Sequence, residues 1–296
     1  MKFGSVTDPE NIDFSLPSDH PDTLKVLGNG NSANFEAFVG CAKWNKKDLK
    51  GFYPRGTKDE LAYYATQFNS IELNATHYKL YGEDVISGWR DKTGDAFKFF
   101  PKVVNSISHY KRLKGVEALV EEYSLPFRVL GDKLGMFFLQ LRDDFKPQDI
   151  DRVVRFVEIW PADLPLAIEL RHTDWFNDEN IANQVYQLFE KHNVANIITD
   201  TAGRRDLLHM RLTSPVAFVR YVGANHASDY TRLDEWIERI ALWKEHGLEK
   251  LYFFIHQNIE LESPLLTAHF IKGLNAKVGT NLKIPHTQTA PPSLGL

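Results

Sequence analysis

Two glutamates occur in the same local sequence at two distant places in the chain. Glu72 lies in Ile71-Glu72-Leu73, and Glu169 lies in Ile168-Glu169-Leu170. Successive side chains of a β-strand point to opposite faces, so each glutamate should point away from its two apolar neighbours. A carboxylate held in this way can act as a general acid or base. The two glutamates are therefore the first candidates for catalysis.

Cationic and polar residues occur at the ends of other apolar runs. Lys102 follows the third run, and Arg220 lies in the seventh. Such cations would orient a carboxylate or a phosphate, which indicates a small-molecule anionic ligand. We expect four catalytic residues: Glu72, Glu169, Lys102 and Asp200. The residues expected to bind the substrate are Asn74, Tyr78, His109, Gln140, Arg171, His172, Trp175, Arg220 and Asn258.

Eight short apolar runs must position these residues. They cover residues 37–41, 70–73, 97–100, 136–141, 166–170, 195–198, 217–222 and 251–255. Segments with helical spacing of apolar residues lie between several of these runs, at 57–68, 149–159, 179–192, 233–246 and 263–274. In the first segment Thr57 is the expected N-cap, and Glu60 would complete a capping box. The spacing of roughly 30 residues is that of a βαβ unit, and eight units predict a single TIM-type (β/α)8 barrel. A doubly wound open sheet is the structural alternative, but Gly40-Cys41-Ala42-Lys43 is not the phosphate turn typical of that fold.

The barrel geometry brings the two glutamates within reach of each other. Eight tilted strands enclose a ring roughly 15 Å across, and strands two and five are three positions apart. Two inward glutamates would leave roughly 6 Å between their carboxyl groups. Because the carboxyl ends of barrel strands hold the active site, we expect a charged, solvent-facing site there.

Composition limits the remaining classes. The chain has 296 residues, 43% of them hydrophobic and 25% charged, which is typical of a globular protein. A net charge of -4 gives no support to binding nucleic acid or an anionic membrane. The single cysteine, Cys41, excludes an intrachain disulfide, and no apolar run is long enough to span a membrane. We expect a cytoplasmic protein with a polar N-terminal arm at 1–34, the barrel domain at 35–284 and a flexible C-terminal tail at 285–296.

An ordered series of motifs is similar to a known family. The series opens with Val39-Gly40-Cys41-Ala42-Lys43-Trp44 and Gly51-Phe52-Tyr53-Pro54, and continues through 71–78, 97–102, 107–109, 134–141, 167–172, Asp200, Arg220-Tyr221 and Asn258. From about residue 38 to residue 274 the chain resembles the YecE-like family, also called domain of unknown function 72 (DUF72). The resemblance implies a TIM-barrel fold and no established activity.

Three positions depart from that family's pattern. Lys43 stands where the family has a small residue, and Val222 stands where it has a histidine two residues after the arginine. His256-Gln257 replaces an asparagine-like strand end. If the missing histidine served the chemistry, this chain has altered or lost it.

The leading hypothesis is an enzyme that acts on a small polar anion, phosphorylated or carboxylated, with a glutamate as general acid or base. The second hypothesis is a metal-dependent hydrolase or isomerase, in which Glu72, Glu169, Asp200 and His256 would bind a divalent metal. No paired-histidine motif supports this set of ligands, and the sequence requires no cofactor. The third is a non-catalytic metabolite-binding protein. Glycoside hydrolysis by two carboxylates is a weaker variant, because the cations favour an anion over a neutral sugar.

Structural explanations compete with these hypotheses at every position. Glu169 with Arg171, or Glu72 with Lys102, could be buried ion pairs that only stabilise the fold, since an unpaired buried charge is too costly to persist. His109, His172 and His256 could be loop or capping residues, and Trp175 a packing residue. The sequence specifies neither the substrate, nor the reaction, nor the oligomeric state.

Overall fold

Each of the eight apolar runs forms a parallel strand. A computed structural model describes residues 4–28 and 34–287; residues 1–3 and 29–33 of the predicted arm and most of the predicted tail lie outside this range. The sixth run forms two short strands separated by Ile197. The strands of the described chain are β1 (Glu36–Cys41), β2 (Ser70–Leu73), β3 (Lys98–Pro101), β4 (Phe137–Gln140), β5 (Leu166–Glu169), β6 (Ala195–Asn196), β7 (Ile198–Thr201), β8 (Val216–Gly223) and β9 (Lys250–Gln257).

The strands form three parallel sheets. Their orders are β1-β9-β8-β7, β2-β3 and β4-β5-β6, and every pairing is parallel. Two single bridges connect this region: Phe99 of β3 pairs with Leu134, three residues before β4, and Lys102, directly after β3, pairs with Phe138 of β4. The fold is therefore mixed α/β with parallel sheets, as the alternation of strands and helices predicted.

Helices follow most of the strands. They are α1 (Pro21–Leu27), α2 (Glu60–Gln67), α3 (Glu83–Asp91), α4 (Glu117–Ser124), α5 (Ile150–Ile159), α6 (Asp174–Asn177), α7 (Glu179–Lys191), α8 (Ser228–Glu245) and α9 (Ser263–Lys277). None of the described helices is long and apolar enough to cross a membrane. The predicted Thr57 cap is wrong: Asp59 caps α2 by accepting from the backbone N–H of Ala62, and Glu60 instead accepts from the N–H of Lys46.

Side chains connect β1 to β2. The Asn69 amide accepts from the N–H of Val39 at 2.9 Å and donates to the carbonyl of Ala37 at 2.8 Å. The Tyr64 hydroxyl accepts from the N–H of Cys41 at 2.7 Å and donates to the carbonyl of Ser70 at 3.1 Å. Gly40 permits this approach, because a Cβ there would lie 2.1 Å from the carbonyl oxygen of Ser70. The side chains of Asn69 and Tyr64 thus form a joint between β1 and β2, in which they hydrogen-bond to backbone groups that have no strand partner.

Alternation along the strands separates two apolar clusters. The larger contains residues from strands and helices together. The smaller contains residues in or next to strands only: Phe38, Phe100, Met136, Phe138, Ala167, Ala195, Ile197, Phe218, Tyr252 and Phe254. We call it the strand-only cluster. It fixes which face of each strand lies away from the helices.

The arm at 4–28 packs on α8 and on the segment before β8. Asp19 accepts from the Arg239 guanidinium at 2.6 Å and from the Trp243 indole at 3.0 Å. The Thr23 hydroxyl donates to the carbonyl of Met210 at 2.9 Å. The arm therefore adds buried polar contacts to one side of the fold.

The Tyr64 hydroxyl tests the joint between β1 and β2. Tyr64→Phe leaves the buried N–H of Cys41 without its acceptor, so we expect the free energy of unfolding to fall by about 1–3 kcal/mol. Urea denaturation measures the change. The control is Tyr110→Phe, since Tyr110 is 76% exposed. Equal stability of the two variants would show that the joint does not depend on the hydroxyl.

Candidate functional site

One guanidinium lies between the two glutamates. Arg220 is in β8, and its Nε and Nη2 each donate to the Glu72 carboxylate at 2.8 Å. Its Nη1 donates to Oε2 of Glu169 at 2.7 Å. The two carboxylates therefore bind the same cation from strands β2 and β5. The gap between them that the sequence predicted is filled by a side chain of the protein.

Each carboxylate has further donors. Asn74 donates to Glu72 at 2.8 Å. Glu169 accepts from Gln140 at 2.8 Å and from Nε of Arg171 at 2.5 Å. Together with Arg220, these contacts satisfy most of the acceptor positions of both carboxylates. We call the residues that meet here the charged cluster: Glu72, Asn74, Lys102, Gln140, Glu169, Arg171, Arg220 and His256.

The charged cluster is buried at its centre. Glu72 is 0% and Glu169 1% exposed, so the expectation of a solvent-facing pair is wrong. Burial by itself raises the pKa of the Glu72 carboxyl, but the charge and hydrogen bonds of Arg220 hold this pKa well below its usual range. Burial likewise opposes ionisation of Glu169, and Arg171 and Arg220 lower its pKa. Both carboxylates are ionised at neutral pH.

Lys102 joins the charged cluster through an amide. Its Nζ donates to Oε1 of Gln140 at 2.8 Å and lies 6.0 Å from the centre of the Phe138 ring. The Arg220 guanidinium lies over the same ring at 5.4 Å. Burial, together with the charges of Arg220 and Arg171, lowers the pKa of the Lys102 ammonium to about 7. Lys102 therefore changes protonation in the physiological range.

A pocket of about 530 Å³ opens beside Glu72 and Arg220. His256 lies in its wall, with Nε2 3.1 Å from Oε2 of Glu72. The same Nε2 lies 3.4 Å from Nη2 of Arg220, which can only donate. The shorter contact is the one to Glu72, and because an ionised carboxylate only accepts hydrogen bonds, it favours a proton on Nε2, which leaves the Nδ1 lone pair available in the neutral ring. Sequence reasoning placed His256 at the carboxyl end of the eighth strand and named it as a metal ligand or a capping residue, but not among the catalytic or substrate-binding residues. Its two-residue spacing from Phe254 of the strand-only cluster was the signal for its direction.

Two of the positions that depart from the family pattern are related to this pocket: Lys43 is in its lining, and Val222 is the strand neighbour of His256, which is also in the lining. Lys43 forms an ion pair with Asp48 at 3.2 Å. Val222 pairs in register with His256 of the neighbouring strand. The imidazole that the resemblance places on β8 is thus present at the same level on β9.

Thr199 is a second residue that sequence reasoning missed. It pairs in register with Arg220 and is 3% exposed. It lies two residues after Ile197 of the strand-only cluster, on the same strand face. Its hydroxyl has no hydrogen-bond partner within the part of the chain that the structure describes. A buried hydroxyl without a partner is a costly group that a bound molecule would satisfy.

Asp200, predicted to be catalytic, lies on the opposite face of β7. It accepts from Arg232 and from the indole of Trp236, both at 2.7 Å, and from Arg205. Its register partner is Tyr221 rather than Arg220. The predicted apolar run ends at residue 198, and Asp200 is expected to close this strand. β7 instead continues to Thr201 with Thr199 level with Arg220, so alternation directs Asp200 toward α8. The prediction that Asp200 joins the two glutamates is wrong.

This position also separates the members of the predicted metal set. Glu72 and His256 touch, but Asp200 faces α8 and the arm. Among residues 4–28 and 34–287, no three histidine, cysteine, aspartate or glutamate side chains converge as a group that could hold a metal ion. The four ligands named from the sequence are not assembled.

Trp175, predicted to bind substrate, is inaccessible. It is 0% exposed, its indole donates to the carbonyl of Phe145 at 2.8 Å, and the two rings stack. Trp175 packs the loop after β4 against α6, in agreement with the structural explanation given for it above. It has no surface for a ligand.

Of the remaining predicted binding residues, the structure places only Tyr78 in the lining of the pocket. Tyr78 lines the pocket and is 74% exposed. His109 packs against the ring of His77 at 4.7 Å, and burial next to Lys102 lowers the pKa of both imidazoles to about 4. His172 accepts from the N–H of Asp174 at the start of α6. Asn258 is half-buried and follows the last residue of β9.

Comparison with known proteins gives a consistent family. The profile described as "Protein of unknown function DUF72" matches residues 38–291. The UPF0759 protein YecE of Escherichia coli K12 is 25% identical over 251 residues, covering 77% of this chain and 89% of YecE. Crystal structures of DUF72 proteins from Enterococcus faecalis and Thermotoga maritima align with TM-scores of 0.67 and 0.65 at 18% and 23% identity. Each alignment covers 81% of this chain, together with 98% of the Enterococcus faecalis protein and 99% of the Thermotoga maritima protein.

Removing Arg220 tests the centre of the cluster. Arg220→Met leaves two buried carboxylates without their shared cation, so we expect about 3–5 kcal/mol less stability at pH 7. The depressed glutamate pKa values stabilise the wild type above the unfolded value of about 4.3, and this contribution is lost as the pH falls. Without Arg220, burial raises the pKa of Glu72, whereas Arg171 still lowers that of Glu169. Protonation of Glu72 should therefore make the loss smaller at pH 5 than at pH 7.

Urea denaturation at the two pH values measures this difference. The matched control is Arg128→Met, which removes the surface pair of Arg128 with Asp163 and should have a much smaller effect. A loss at Arg220 that is no larger than the loss in the control would contradict the assigned role.

Proposed function

The chain belongs to the DUF72 family, whose name states no activity, and we propose from its site that it is an enzyme acting on a small polar anionic substrate. The reaction would use acid–base chemistry at the carboxyl ends of the strands. The substrate would carry a carboxylate or a phosphate. The observation that supports this best is the charge of the buried cluster.

The strands would form a TIM-type (β/α)8 barrel, with β6 and β7 as one interrupted strand. Three features support closure of the ring. β9 pairs with β1, bridges connect β3 to β4, and Asn69 and Tyr64 connect β1 to β2. In such a barrel the charged cluster would occupy the end that binds substrates.

One cationic side chain of the charged cluster has no carboxylate to match it. The carboxylates of Glu72 and Glu169 are matched by the guanidiniums of Arg220 and Arg171. Lys102 makes no ion pair with a carboxylate in the described part of the chain, and the hydrogen-bond acceptor of its amine there is the neutral amide of Gln140. A buried charge needs a counter-ion, so protonated Lys102 favours an anion in the site.

Proton transfer would run through His256 rather than directly through a glutamate. Both carboxylates are ionised and hydrogen-bonded, so neither is free to exchange a proton near pH 7. Glu72 instead fixes the ring of His256, whose Nδ1 has no hydrogen-bond partner among the described residues. Glu72 would act as the positioning residue and His256 as the general base.

Anion binding should depend on pH in a defined direction. Lys102, with its pKa near 7, is a cation below that pH and neutral above it. Affinity for an anion should therefore be highest near pH 6 and fall as the pH rises to 8.5. Lys102→Met should weaken binding by about 10–100-fold at pH 6, the value of one hydrogen bond between charged groups, and remove the pH dependence.

Thermal shift and calorimetry with inorganic phosphate, pyruvate and glucose 6-phosphate test this. The matched control is Lys98→Met, at the opposite end of the same strand. Binding by none of the three anions, or wild-type affinities that stay constant from pH 6 to 8.5, would overturn the proposed anion site. Binding without turnover would favour a metabolite-binding protein.

His256 has its own test, the exchange of the methyl protons of pyruvate in D2O. A general base contributes 10²–10⁴-fold, so His256→Gln should slow enzyme-dependent exchange by about 10²-fold or more while leaving pyruvate affinity near its wild-type value. Proton NMR measures the exchange. His246→Gln, on the distant C-terminal end of α8, is the control. Equal exchange rates for wild type and His256→Gln would remove His256 from the mechanism.

A further inference from the structure

The backbone around Lys102 is held on both sides. Its N–H donates to the carbonyl of Leu73 at 3.3 Å. Its carbonyl accepts from the hydroxyls of Thr76 and Tyr123, both at 2.8 Å. These contacts fix the origin of the side chain at the end of β3. The amine therefore has a defined position rather than a range of positions.

The amine of Lys102 is poorly matched as an ammonium ion. Gln140 donates its own amide N–H to Glu169, so only its carbonyl oxygen faces Lys102. An ammonium has three donors, and this carbonyl accepts one of them. The side chain is 8% exposed, which leaves little water for the other two. A neutral amine needs only the one acceptor that is present and keeps a lone pair.

The neighbouring guanidiniums also favour the neutral form of the Lys102 amine. The guanidiniums of Arg171 and Arg220 bind the two carboxylates directly, and Lys102 does not. A purely structural lysine would be expected to pair with Glu72 or Glu169 instead. A lysine that is desolvated and placed near other cations is activated as a nucleophile.

We propose that Lys102 is a catalytic nucleophile that forms an imine with the carbonyl carbon of a small oxo acid. This inference rests on the proposed anion site and narrows its substrate class to oxo acids. The carboxylate of the substrate supplies the anion, and the adjacent carbonyl supplies the electrophile.

The step balances without another reactant. The lone pair of Nζ forms a bond to the carbonyl carbon, and the carbonyl π electrons move to its oxygen. That oxygen takes up two protons in total, one from the amine and one from a general acid, and leaves as water. The product is a protonated imine, whose positive charge lies next to the carboxylate of the substrate. Nothing is oxidised or reduced.

Thr199 supports a ligand at this point. Its buried hydroxyl has no partner among the described residues, and it is level with Arg220 on the strand face that carries the charged cluster. A substrate carboxylate or carbonyl would supply the missing hydrogen bond. A small polar ligand against this face of β7 would satisfy the hydroxyl.

Reductive trapping tests the imine. The full-length protein is incubated with pyruvate and sodium cyanoborohydride at pH 7.4, and the adduct is located by peptide mass mapping. At this pH the neutral fraction of an ordinary lysine, with a pKa of about 10.4, is only about 0.1%. We expect the adduct at Lys102 to exceed that at any exposed lysine by about ten-fold or more, despite its burial.

Two control ligands and two variants show whether trapping requires both the carbonyl of the substrate and the amine of Lys102. Lactate has the carboxylate but no carbonyl, so it should bind without trapping; acetone has the carbonyl but no carboxylate and should trap weakly. Lys102→Arg should lose the adduct while it keeps pyruvate binding at pH 6. Lys98→Arg should trap like wild type. The mapping on wild-type protein stands even if Lys102→Arg does not fold.

The outcomes separate this inference from the proposed function. Pyruvate binding with no adduct at Lys102, or with adducts spread evenly over exposed lysines, overturns the nucleophile and leaves the anion site in place. Absence of both binding and adduct overturns both. A pyruvate adduct concentrated at Lys102 supports the nucleophile.

Discussion

The burial of two carboxylates around one guanidinium is the constraint on which the rest of the structure depends. Glu72, Glu169 and Arg220 come from β2, β5 and β8, strands that are far apart in sequence. Each charge alone would be too costly in the interior, and together they satisfy one another. The strands that carry them must therefore meet at this level. Asn74, Gln140 and Arg171 are in turn oriented by the carboxylates they touch.

A second buried ionic group has a different use. Asp200 binds Arg232 between the faces of β7 and α8, and Arg205 joins it to the carbonyls of Phe14 and Ser15 in the arm. The ring of Phe14 lies over the Arg232 guanidinium at 4.4 Å. This aspartate connects the strand to a helix and to the arm, whereas the glutamates lie beside a pocket. One residue of alternation along β7 decides between the two roles.

The proposed chemistry divides among residues that the two glutamates arrange. Glu72 fixes the imidazole of His256, and Glu169 fixes the amide of Gln140, which faces Lys102. In this proposal the carboxylates hold the groups that would react and would not react themselves. This arrangement differs from the expectation of glutamate acid–base catalysis, because the sequence showed the carboxylates but not the number of donors that surround them.

The sequence by itself determined the parallel α/β organisation, the apolar runs that form the strands and the direction of Glu72 and Glu169 away from their apolar neighbours, because alternation and apolar runs are local properties. Only the tertiary structure decided partners and exposure. It carried β7 beyond the predicted strand end and turned Asp200 outward, it buried Trp175 against Phe145, and it placed His256 on Glu72. These outcomes depend on strand register and on contacts between distant segments. No local pattern encodes them, since the free energy of a buried charge is set by whatever group the fold brings beside it.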